Sequence, residues 1–182
     1  TLPVIASEPA GKTFNNEAAS VVFAMNDLSN ASANTTAPSD AFGSIAFDYG
    51  TNLSLKGILE ITKADGTPSG IKGLKIGNDS GKKETEINWL VRPAAGLTFT
   101  PTKVSGYVNR CGTNVEKGIV ISAHKANGEV VALGTYTAWR QGKTTSDQTY
   151  DNTAIHQFEI PLTAEQQAAL AGTDGFYLTS SI

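Results

Sequence analysis

The sequence predicts an all-β fold, a β-sandwich of jelly-roll type with one short connector helix near residues 163–171. Three observations predict it. Apolar residues recur at every second position along most of the chain, the period of strands with one buried face. Turn-forming residues interrupt these runs at short intervals, and only one stretch has helical character. The length, 182 residues, suits a single domain spanning 1–182 with a full two-layer core. An edge-closed barrel is the alternative arrangement of the same strands.

The first candidate strand is the apolar run Val21-Val22-Phe23-Ala24-Met25. Residues 29–41 are rich in Ser, Asn, Thr and Ala and read as a long surface loop. Phe42 through Tyr49 alternates, with Ile45, Phe47 and Tyr49 on one side. Leu55–Thr62 and Ile71–Ile76 follow, the second weakened by Gly73. Then come Glu84–Arg92, Lys103–Arg110, Gly118–Lys125, Glu129–Trp139, Ala154–Pro161 and Gly175–Ile182. Between them, Asp65-Gly66, Asn78-Asp79-Ser80-Gly81, Ala94-Ala95-Gly96, Gly112-Thr113-Asn114 and Asn127-Gly128 supply turn residues. Asn127-Gly128 separates two alternating runs and predicts that they form an antiparallel hairpin. Thr163-Ala164-Glu165-Gln166-Gln167-Ala168-Ala169-Leu170 reads as a helix of about two turns. Thr163 caps it, Gln166 completes a capping box, and Gly172 stops it.

Composition narrows the partners. Charged residues are 17% of the chain, against about 25% in ordinary domains, and Thr, Ser, Asn and Gly take their place. The net charge is −3 and no Lys/Arg cluster stands out, so nucleic acid is not an expected partner. No apolar run is long enough for membrane insertion to be expected. Cys111 is the single cysteine, which excludes an internal disulfide and a thiolate zinc site; it reads as a small packing residue. Thr1 opens the chain without Met or a basic-then-apolar leader, which predicts a processed mature chain or a piece of a longer one. Ser180-Ser181-Ile182 lie within a reading strand, which predicts a further strand or domain.

No catalytic set converges in the sequence, and the chain is expected not to be an enzyme. His124 and His156 are the only histidines, and neither has a partner at metal-ligand spacing. There is no Gly-X-Ser-X-Gly and no phosphate-binding loop. Asp48, Glu60, Glu84, Glu86 and Asp151 are candidate carboxylates for glycoside hydrolysis, but strand carboxylates on an outer face are ordinarily just solvated. No cofactor is expected beyond a candidate structural calcium ion, for which Asp147, Asp151 and Asn152, or Asn78 and Asp79, offer oxygen ligands in loops.

Flat aromatic rings framed by polar side chains suit sugars. A ring stacked on a pyranose removes about 50 Å² of apolar area from water, worth about 1 kcal/mol, and a few such contacts give Kd values of roughly 10 µM to 1 mM. Strand parity sorts the rings. Trp89 shares its face with Ile87 and Val91 and reads as core. Tyr107 falls with Ser105 and Asn109, on the face opposite Val104 and Gly106. Tyr136 and Arg140 fall with the small residues Ala132 and Gly134, which leave room for a flat ligand or for a neighbouring strand. Trp139 has core parity but stands at a strand end before Arg140-Gln141-Gly142-Lys143, where it also reads as a platform. The candidate ligand-binding set is therefore Trp139, Arg140, Tyr136, Tyr107, Asn109, Arg92, Asn88 and His124, with the two arginines suited to uronate carboxylates. An ordinary solvated sheet face is the competing reading.

The segment Ala95-Gly96-Leu97-Thr98-Phe99-Thr100-Pro101-Thr102-Lys103-Val104-Ser105, followed by a strand, the turn Cys111-Gly112-Thr113 and a hairpin, resembles the jelly-roll accessory modules of secreted bacterial polysaccharide lyases and glycoside hydrolases. The resemblance covers Glu84 to Ile160, and such modules usually end with a strand beyond the one containing Tyr177. It implies a carbohydrate-binding module, secreted or at the bacterial cell surface, that holds a covalently linked polysaccharide-degrading domain on a plant or host glycan. The partner implied is a polysaccharide or oligosaccharide. The alternative is a structural spacer or adhesin-like β-sandwich without glycan binding.

Overall fold

The computed structural model describes residues 18–23, 35–36, 41–43, 47–49, 53–62, 67–78, 86–108, 119–136 and 156–181. They form the strands β1 (Val22–Phe23), β2 (Thr35–Thr36), β3 (Phe47–Tyr49), β4 (Leu53–Thr62), β5 (Pro68–Asn78), β6 (Glu86–Val91), β7 (Lys103–Val108), β8 (Ile119–Lys125), β9 (Val130–Tyr136), β10 (His156–Pro161) and β11 (Phe176–Ser181), with the helix α1 (Ala164–Leu170) before the last. Every strand pairing among the described residues is antiparallel. The described residues are thus mostly antiparallel β-sheet with one short helix. Thr35 and Thr36 pair with β1, so the stretch 29–41 is not wholly loop as its composition predicts.

Among the described residues the largest sheet has five strands in the order β3-β6-β11-β8-β9. β4 pairs with β5, and β7 with β10, as two-stranded ribbons. The face of the five-stranded sheet that carries Val91, Ile121, Ala123, Leu133 and Phe176 is buried, and the β7–β10 ribbon lies on it through Val104, Phe158 and Ile160. Leu162, Leu170 and the edge-to-face pair Phe42–Phe99, with ring centroids 5.3 Å apart, extend the same core.

The Asn127-Gly128 signal produces the expected hairpin of β8 and β9. Lys125 N donates to Glu129 O (2.9 Å) and Gly128 N to Lys125 O (3.0 Å), while Gly128 takes the positive φ of +90° that the loop needs. The Asn127 side chain accepts from Glu129 N at 2.9 Å, and Lys125 Nζ meets Glu129 Oε2 at 2.8 Å across the hairpin mouth.

Further along the hairpin the register slips. Ser122 faces Ala132 but Ile121 faces Gly134, so Leu133 is an extra residue in β9. This bulge inverts the alternation. Before it, Val131 points to the core and Ala132 away. After it, Thr135 points away and Tyr136 points inward, level with Ile119.

Tyr136 meets the ribbon there. Its ring stacks on Phe158 with centroids 5.3 Å apart and planes 29° from parallel. Phe158 in turn lies across Gly106, its direct partner on β7. A Cβ at Gly106 would stand 2.6 Å from Phe158 Cζ, so only glycine leaves space for the ring. Beside them Ile160 fits against Gly134, where a Cβ would come within 3.3 Å of Ile160 Cδ1.

The helix forms as read. Gln166 N donates to Thr163 Oγ1 (3.2 Å) and Thr163 N to Gln166 Oε1 (2.8 Å), completing the capping box. The amide nitrogen of Gln166 then donates to Ala132 O (2.9 Å) and, at 3.4 Å, to Leu133 O. This fixes α1 beside the bulge of β9, the last strand of the sheet among the described residues.

Two outcomes test these contacts. Gly106→Ala is expected to lower stability by about 1–3 kcal/mol, because the intruding methyl meets a ring already held by Tyr136; an unchanged urea midpoint would refute the stack. The Glu129 carboxyl is held below its ordinary range by the Lys125 hydrogen bond and charge. Its folded pKa lies below the unfolded one, so its contribution is present above the unfolded value and lost as pH falls through the folded value. Both groups reach solvent, so NMR titration should give a depressed Glu129 midpoint that high salt returns towards normal.

Candidate functional site

The β7–β10 ribbon has a clean division of faces. Val104, Gly106, Phe158 and Ile160 turn towards the core, and Lys103, Ser105, Tyr107, Gln157, Glu159 and Pro161 are exposed. Tyr107 is outside for the reason its parity gives: its neighbour Gly106 is beneath Phe158, and successive strand residues point to opposite sides. Its ring stands directly opposite Gln157 and is 52% exposed, one of few large apolar groups so open among the described residues. Ser105 lies opposite Glu159, and Lys103 Nζ reaches diagonally to Glu159 Oε1 at 3.1 Å. The result is an exposed strip with one aromatic ring, an amide, a hydroxyl and an ion pair of opposite charges. Such a strip can stack on an apolar ring face and exchange hydrogen bonds with hydroxyl groups.

The other predicted residues are not gathered around Tyr107. Asn88 and His124 lie on the far face of the five-stranded sheet, across both layers from the ribbon's outer face. That face is not the open surface the parity reading expects. Asn88 is 2% exposed and its partner Thr179 is 1% exposed, with Thr179 Oγ1 donating to Asn88 Oδ1 at 2.7 Å. Leu90 and Tyr177 beside them are also buried. Strand β6 therefore buries residues on both faces, and alternation along it carries no information about solvent. His124 is half-buried opposite Tyr177, with Nε2 3.3 Å from Ser122 Oγ.

Arg92 is buried as well, at 6% exposure, with its carbonyl accepting from Gly43 N. A guanidinium so enclosed does not present its fork to a carboxylate outside. Tyr136, expected on the polar face, is instead the ring stacked on Phe158, because the bulge at Leu133 reverses the parity on which that expectation rests. Trp89 behaves as a packing residue, half-buried with its ring centroid 6.2 Å from that of Phe23. Trp139, Arg140, Asn109 and Cys111 lie outside the described residues.

Gln157 and Glu159 share the outer face with Tyr107 and are not among the residues the sequence singles out. The same parity rule finds them: Phe158 and Ile160 are apolar, so the residues alternating with them face outward. Among the described residues no three His, Cys, Asp or Glu side chains are grouped to hold a metal ion. Asp79, Asp147, Asp151 and Asn152, the oxygen ligands considered for calcium, lie outside the described residues, and Asn78 ends β5. No described helix is long and apolar enough to cross a membrane. Compared with protein-family models, with curated proteins and with solved structures, the chain matches none.

The buried pair has a testable role in folding. Thr179→Val keeps the shape but removes the donor to Asn88 Oδ1, and is expected to cost about 1–3 kcal/mol in urea denaturation. A variant as stable as the parent would show that this hydrogen bond contributes nothing.

Proposed function

We propose that the chain is a non-catalytic glycan-binding module that docks a hydroxyl-rich polysaccharide on the outer face of the β7–β10 ribbon. The observation that carries this reading is the half-exposed ring of Tyr107, set on a largely polar strand face beside Gln157 and Ser105. Apolar rings cost free energy in water, and a ring kept there in register with an amide and a hydroxyl has the composition of a sugar platform. On this reading the layered strands are a jelly-roll sandwich. The module is secreted or displayed at a bacterial cell surface, where it holds a linked polysaccharide-degrading domain on plant or host glycan.

A structural spacer is the second reading, and one set of observations favours it. Asn88, Arg92 and Tyr136 are committed to packing, which leaves fewer groups to meet a ligand than their residue types suggest.

Affinity electrophoresis through gels containing xylan, β-glucan or mannan separates the two. The binding reading expects retardation on at least one polymer, with Kd of roughly 10 µM to 1 mM. Tyr107→Ala should weaken it about fivefold, the equivalent of about 1 kcal/mol from one stacked ring. Migration unaffected by every polymer leaves the spacer. Loss with Trp139→Ala but not with Tyr107→Ala would move the platform away from the ribbon.

A further inference from the structure

We infer that the ribbon face selects uncharged glycan chains over polyuronates, and that Glu159 is the residue that sets this preference. The inference rests on the glycan-binding reading of the same face. Its basis is the placement of charge around Tyr107. Lys103 and Glu159 are the charged side chains that the register puts on the outer face of β7 and β10, and they are joined at 3.1 Å. Both remain about half exposed, at 51% and 55%, so the pair is presented to a ligand and not hidden beneath it.

The two side chains start from different points on the strip and bring their charges to one spot. Glu159 is opposite Ser105 and next but one to Gln157, the cross-strand partner of Tyr107. Lys103 is at the far end of the strip, opposite Pro161, four residues from the ring. The Lys103 ammonium nevertheless reaches Glu159 Oε1 at 3.1 Å, so a chain lying along the strand from Tyr107 meets carboxylate and ammonium together, as one net-neutral pair. A uronate residue placed there finds the one cation that the described register puts on this face already engaged by Glu159, and gains no free partner for its carboxylate. A neutral sugar meets instead an acceptor and a donor held in place by each other, both suited to hydroxyl groups. Arg92, whose guanidinium would otherwise favour acidic sugars, is enclosed elsewhere in the fold.

The test compares the 182-residue chain and its Glu159→Gln variant by affinity electrophoresis in neutral β-glucan or xylan and in polygalacturonate, each at low and high ionic strength. Retention of the parent by a neutral polymer at both ionic strengths, with none by polygalacturonate, is the expected result. Glu159→Gln frees Lys103 and should gain at least about fivefold in affinity for polygalacturonate, a gain that high salt removes. Retention of the parent by polygalacturonate overturns the selectivity and leaves glycan binding standing. A Glu159→Gln chain that is folded by circular dichroism yet still ignores polygalacturonate overturns the role of Glu159. Absence of retention by any polymer overturns the glycan reading itself, and the selectivity with it.

Discussion

The contact on which the two layers depend is the stack of Tyr136 on Phe158 over Gly106. It joins β9 of the five-stranded sheet to both strands of the ribbon at one point. An aromatic pair of this kind adds about 0.5–1.5 kcal/mol beyond simple burial, and the glycine lets the ring approach the ribbon backbone directly. The same arrangement orients the outer surface. With Gly106 inward beneath a ring, Tyr107 has only the solvent side open to it, and the register then carries Gln157 and Ser105 alongside. Core packing on one side of a strand thereby sets the chemistry displayed on the other.

The two faces most suited to polar contacts are used differently. The far face of the five-stranded sheet holds Asn88, Thr179 and Tyr177 in burial, and its buried hydrogen bond spans β6 and β11. Sealed polar groups of that kind favour one register over its neighbours, since a slip would strand donors and acceptors. The ribbon's outer face keeps its polar groups in water, where they lose little by waiting for a partner.

How much of this was legible depended on whether a local rule held. Strand positions, the hairpin at Asn127-Gly128, and the Thr163–Gln166 cap were readable because each rests on period-two patterning or on a short chemical signature. The outward setting of Tyr107 was readable because Lys103–Val108 alternates without interruption. Tyr136 was misplaced because a single extra residue, Leu133, reverses the count, and nothing in Val130-Val131-Ala132-Leu133-Gly134 marks a bulge except the glycine. Asn88 and Arg92 were misplaced because parity tells one face from the other but not whether the second face is covered. The short pairing of Thr35-Thr36 with β1 was hidden in a composition typical of loops.

Among the described residues β9 ends the five-stranded sheet, and Gln166 ties helix formation to the protection of that margin. One end of its amide closes the first turn of α1, and the other occupies backbone acceptors of β9. These two tasks cannot be separated by partial fraying, since unwinding that turn releases the margin at the same moment. A foreign strand seeking to add itself at Ala132 and Leu133 must therefore first displace a helix. The chain thus guards against edge-to-edge association with a device of seven residues.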